Sequence, residues 1–118
     1  MEINFDVEAQ ERLLLLSATD FVLDYDDSFI MAGENVRADA YAVDTIMTRL
    51  RLIAVRSDEI PADFDGLVVP DTFRVHYREW GEMFLGKRLS IRKSSSGLIE
   101  AMNESGLISS NVQIVDAR

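Results

Sequence analysis

The sequence predicts an α+β domain: a central amphipathic helix over about 34–55, with shorter helices, packed on a mainly antiparallel sheet. Two observations carry that expectation. Within 34–55 the apolar residues Val36, Ala40, Val43, Met47, Leu50 and Ala54 recur at steps of four and three, the spacing of one helix face. No Pro or Gly interrupts the stretch, and Gly33 stands just before it. From Thr72 the period changes to two. Phe73, Val75 and Tyr77 alternate with Arg74, His76 and Arg78, and Leu89 and Ile91 alternate with Arg88, Ser90 and Arg92. Alternation of this kind marks half-buried strands.

In chain order, residues 2–5 alternate weakly and predict a short first strand. Asp6 is placed to cap a helix running through VEAQERLLLLSA, with Glu8 and Glu11 near its positive end. Residues 20–32 favour strand–turn–strand, because Phe21, Leu23 and Tyr25 alternate and Asp26-Asp27-Ser28 is turn-like. One long helix is the alternative there. Both prolines fall in 57–72, which reads as a loop with Leu67 to Val69 as a short extended piece. The runs at 73–77 and 88–92 predict an antiparallel pair with one apolar face. A serine of Ser94 to Ser96 would cap a short helix, GLIEAMNES, closed by Gly106. The terminal NVQIV predicts a strand of the same sheet.

A chain of 118 residues with 47 % hydrophobic and 28 % charged residues is expected to form a single acidic domain, 1–118. It contains no cysteine, which removes disulfides, cysteine-ligated metals and thiol catalysis. The start is acidic and lacks the basic opening of a signal peptide, and no apolar run is long enough to span a membrane. A cytoplasmic protein away from membranes is the expectation. The net charge of −9 is uneven: residues 1–45 carry eleven acids against two arginines, while residues 73–118 carry five acids against seven bases.

Three constellations could carry chemistry. Asp20, Asp24, Asp26 and Asp27 beside Ser28 offer the oxygen donors that hard cations prefer. A calcium loop counted from Asp24 would need glycine and an acid where Phe29 and Asn35 stand, so that pattern fails, and no metal or other cofactor is expected. The string FVLDYDDSFI resembles the first motif of haloacid-dehalogenase-type phosphatases, D-x-D-x-[T/S]. That resemblance, over about ten residues, implies Asp24 as nucleophile, Asp26 as general acid and Mg²⁺ alongside. No later paired-aspartate motif follows a strand. The same string resembles the opening strand of class I glutamine amidotransferases, whose cysteine nucleophile is missing here.

The second constellation is the outward face of the predicted strand pair, where Arg74, His76, Arg78, Arg88 and Arg92 would bind an anionic ligand or single-stranded nucleic acid. The alternative is a solvated face, or one that meets the acidic half of its own chain. The third is the helix stripe, read as core, with a helix-mediated homodimer as its other use. His76 is the sole histidine, and no nucleophile elbow, phosphate loop or dinucleotide fingerprint occurs, which gives enzymatic activity little support.

The functional expectation is a non-catalytic protein-binding module of the inhibitor, immunity or anti-defence type. Its candidate contacts with a basic protein partner are Asp20, Asp24, Asp26, Asp27, Asp58, Glu59, Asp63 and Asp65.

Overall fold

The computed structural model describes residues 1–25 and 50–118. It begins with β1 (Glu2–Phe5), where Ile3 turns inward and Glu2 and Asn4 face water. Helix α1 (Val7–Leu14) follows at once because Asp6 caps it, accepting the Ala9 N–H at 2.8 Å. The other Asp6 oxygen accepts the Lys93 N–H and ties the cap to the sheet. Ala9 and Leu13 supply the buried side of α1. The helix stops before the leucine run ends, and Ser17 takes a positive φ of 53° just beyond it.

Among the described residues nine strands build two mixed sheets. In chain order the rest are β2 (Asp20–Tyr25), β3 (Leu50–Val55), β4 (Gly66–Val68), β5 (Arg74–Tyr77), β6 (Arg88–Lys93), β7 (Ile99–Asn103), β8 (Gly106–Ser109) and β9 (Gln113–Asp116). A 3-10 turn at Glu79–Gly81 and a short helix α2 (Glu82–Leu85) link β5 to β6. One sheet has the order β1-β6-β7-β8 and the other β4-β5-β2-β3-β9. Parallel pairings join β1 to β6, β2 to β5 and β3 to β9; the other four are antiparallel.

A single cluster of buried apolar residues spans both sheets, including Ile3, Leu89, Ile91 and Ala101 from one and Phe21, Leu52, Ala54 and Val75 from the other. Phe73 sits at its centre, its ring edge-on to Phe5 at 5.7 Å and to Phe21 at 5.4 Å. That geometry suits the ring quadrupoles. Gly66 on β4 lets the Tyr77 ring lie across its backbone: a Cβ there would come within 2.4 Å of the ring.

This fold corrects the α+β expectation. The described chain is mostly β-sheet, with one helix of two turns and two mixed sheets rather than several helices around a central one. Leu50–Val55, expected as the end of the 34–55 helix, is strand β3. Leu50 and Ala54 fit a helical step of four, but Leu50, Leu52 and Ala54 equally fit a step of two, and all three are buried on one strand face. Residues 34–49 lie outside the described residues, as does the second half of the 20–32 hairpin. The expected helix GLIEAMNES is instead β7, with Ile99 and Ala101 buried, and Gly106 opens β8 at φ 125°. The runs at 73–77 and 88–92 are strands, but they lie in different sheets and do not pair with each other. NVQIV does form a strand, in the sheet that holds β5. Among the described residues no helix is long and apolar enough to cross a membrane.

Candidate functional site

The polar face of the five-stranded sheet is built by three strands whose charges are in register. On β2, Phe21 and Leu23 join the main apolar cluster, and Asp20, Val22 and Asp24 alternate with them on the other face, where Asp20 and Val22 are nonetheless buried. Across the pair with β5, Asp20 lies opposite Arg74 and Val22 opposite His76. Asp24 also lies opposite Arg51 on β3. The parallel register therefore sets acids beside bases.

Asp20 is the most enclosed of these groups, 1 % exposed. Arg74 grips it with two hydrogen bonds, Nε to Oδ1 and Nη2 to Oδ2, both 2.8 Å. His76 Nε2 sits 2.8 Å from Oδ1, and the Thr19 hydroxyl donates to Oδ2 at 2.8 Å. The Arg74 bonds hold the Asp20 carboxyl well below the usual carboxylate range; burial opposes them, and His76 and Thr19 add to them. A buried charge persists only when paired and hydrogen-bonded in this way.

A second cluster centres on Arg78. Its Nη1 donates to Asp24 Oδ1, and its Nε donates to Asp63 Oδ2 at 2.7 Å. The guanidinium carbon lies 4.3 Å from the Phe64 ring centroid and 5.9 Å from that of Trp80. Burial alone would lower the Arg78 pKa, but the bonds to Asp63 and Asp24 outweigh it and raise it. Arg51 stands 3.9 Å from the other Asp24 oxygen. Asp65 accepts the Glu79 N–H at 3.0 Å, joining the β3–β4 loop to the turn after β5.

The candidate partner-binding residues therefore divide. Asp20 and Asp24 are engaged by arginines of their own sheet, and Asp20 is closed to any partner. Asp63 and Asp65 belong to the exposed 56–65 loop but bond to Arg78 and to the Glu79 backbone. Asp58 and Glu59, at the head of that loop, are exposed; the Glu59 N–H donates to the Arg56 carbonyl at 2.9 Å, and its carboxylate stands 3.7 Å from exposed Arg56. Asp26 and Asp27 lie outside the described residues.

The proposed anion-binding face is not assembled. Arg74, His76 and Arg78 sit on the five-stranded sheet against Asp20 and Asp24. Arg88 and Arg92 sit on the four-stranded one, where Arg92 pairs with Glu100 at 2.8 Å. The strand face meets the acidic half of its own chain, which the sequence offered as the alternative. The sequence signal for this pairing is a matched spacing: D-x-V-x-D at 20–24 carries the charges that R-x-H-x-R at 74–78 complements.

No protein-family model matches the sequence, and no curated protein matches it. Two solved structures are similar. One, from Lactobacillus salivarius, is described as a putative Fe-S biosynthesis protein with a novel protein fold. It superposes with a TM-score of 0.68 at 15 % sequence identity, covering 98 % of this chain and 98 % of that one. Another, from Lactobacillus acidophilus, is also described as a putative Fe-S biosynthesis protein. It gives a TM-score of 0.67 at 16 % identity, covering 98 % of this chain and 90 % of the other. These likenesses show a shared fold.

Proposed function

We propose that this protein is a non-catalytic, cytoplasmic protein-binding module that sets an acidic surface against a basic partner, as inhibitors, immunity proteins and anti-defence proteins do. The observation that supports the reading is the 56–65 loop. It carries Asp58, Glu59, Asp63 and Asp65 at the surface of a chain whose net charge is −9. Asp20 and Asp24 are already bonded within their own sheet, whereas the side chains of Asp58 and Glu59 are exposed. Such charges raise encounter rates with an oppositely charged surface and set its orientation.

The test is a pull-down with immobilised protein, eluted by a salt gradient, alongside a bait carrying Asp58→Asn and Glu59→Gln. The expected result is a basic protein that elutes at moderate salt from the first bait and is depleted on the second. Equal retention on both baits would sink the acidic-loop reading.

The shared fold favours a second reading, in which the partner is a component of Fe–S assembly. Fe–S clusters are held chiefly by cysteine thiolates. This chain has none, and among the described residues no three histidine, aspartate or glutamate side chains gather into a metal-binding group. The residues do not fit a resident cluster. In this reading the protein contacts a thiolate-bearing partner rather than holding the cluster itself. Its test is whether the basic protein recovered carries the cluster ligands.

A further inference from the structure

Three features meet at the open side of the molecule beside β9. The first is a groove of about 540 Å³ bounded by the end of α1, the start of β7 and the start of β9. Leu15 and Leu98 line it and are 82 % and 45 % exposed, and Ile114 lies between them and the core. Large apolar side chains are not left so bare without a cost in water.

The second feature is a free strand edge. Among the described residues β9 is the last strand of its sheet and pairs in parallel with β3 on one side only. The Ala117 N–H donates to the Ala54 carbonyl at 2.9 Å, which fixes the phase of the ladder. Gln113, Val115 and Ala117 turn their backbone groups toward β3, so Ile114 and Asp116 turn theirs outward. Among the described residues nothing takes them up. Edges are commonly guarded by proline, charged side chains or a bulge; β9 has no proline, lysine or bulge, and its one charged residue, Asp116, is neutralised by Arg118. The third feature is Arg12, at the groove wall. Its Nη2 donates to the Gly97 carbonyl at 2.9 Å, and among the described residues no carboxylate lies within ion-pair distance of it. That is notable in a chain with 21 acids and 12 lysines and arginines.

We propose that this edge and groove take an extended segment of a partner protein as an added strand. Its main chain pairs with Ile114 and Asp116, its alternate apolar side chains cover Leu15 and Leu98, and an acidic side chain meets Arg12. Unpaired main-chain donors and acceptors select an extended segment over a helix. An unneutralised guanidinium selects a carboxylate. A second copy of this chain is disfavoured, because each carries −9. This site lies away from the 56–65 loop and stands or falls independently of it.

The experiment is an NMR titration of the whole protein with a capped hexapeptide alternating valine and threonine, ending in glutamate, beside the same peptide ending in glutamine. At millimolar peptide the amides of Ile114 and Asp116 are expected to shift and to gain exchange protection. The glutamate peptide should bind at least several-fold tighter, and Arg12→Gln should level the two. Asp116→Pro removes one outward N–H and spares the β3 ladder, with Asp116→Asn, which keeps that N–H, as the control for the lost Arg118 pair. Leu15→Ser removes a bare side chain, and Asp116→Pro and Leu15→Ser should each weaken binding several-fold. Should Asp116→Pro unfold the protein, Leu15→Ser still decides. No change at the Ile114 and Asp116 amides would overturn the proposal, as would equal affinity for the two peptides. Protection that rises with protein concentration alone would overturn it in favour of a second copy.

Discussion

Asp20→Asn probes the buried cluster that ties β2 to β5. The carboxylate accepts four hydrogen bonds at 2.8 Å, two from Arg74 and one each from Thr19 and His76 in the geometry present. An amide keeps the shape but turns one acceptor into a donor that faces Arg74 or His76. Removing one partner of a buried ion pair costs roughly 3–5 kcal/mol. Here Arg74 is 46 % exposed and can turn to water, so the discounted cost is about 2–3 kcal/mol. For a domain of this size that lowers Tm by roughly 6–12 °C. The pH dependence follows from the direction of the shift. The folded-state pKa of Asp20 is depressed by Arg74, so its stabilisation is fully present above the unfolded value of about 3.9 and is lost as pH falls below it. Urea unfolding of both proteins from pH 7 to pH 3 is the assay. The gap between them should stay constant from pH 7 to about pH 5 and narrow in acid, below the unfolded value. A loss under about 0.5 kcal/mol at pH 7, or a gap that does not begin to narrow between about pH 5 and pH 3, would refute the reasoning.

Other substitutions test the packing. Phe73→Ala removes the ring shared by Phe5 and Phe21 and should cost about 3–5 kcal/mol in chemical denaturation. Gly66→Ala forces a methyl into the Tyr77 ring and should cost roughly 1–3 kcal/mol, read as a lower Tm. Arg92→Ala breaks only a surface pair with Glu100, and its unfolding midpoint should correspond to a loss under about 1 kcal/mol.

How far the sequence reached depends on the element. β1, β2, β5 and β6 were legible because one face of each is buried, and alternation reports that directly. The α1 cap was legible because Asp6 precedes an amphipathic run with acids in its first turn. Pairing was not, since alternation says which face of a strand is buried and not which strand lies beside it. Thus β5 and β6, alike in pattern, predict one sheet but occupy two. β3 and β7 carry a helical signal because Leu50 with Ala54, and Leu98 with Met102, meet a helical step of four as well as a strand step of two. Burial of Asp20 broke the expectation that aspartates lie at the surface. Only the matching charges at 74–78 would have revealed its partner.

The central claim, a module whose acidic loop docks on a basic partner, is tested most directly by the salt dependence of affinity. The measurement is the Kd for the basic protein recovered by salt elution, over a range of ionic strength, for the unmodified chain and for the Asp58→Asn, Glu59→Gln pair. The account predicts affinity that falls as salt rises, a several-fold weaker complex for the double substitution, and a shallower salt dependence with unchanged unfolding. Equal affinities with the same salt slope would contradict it.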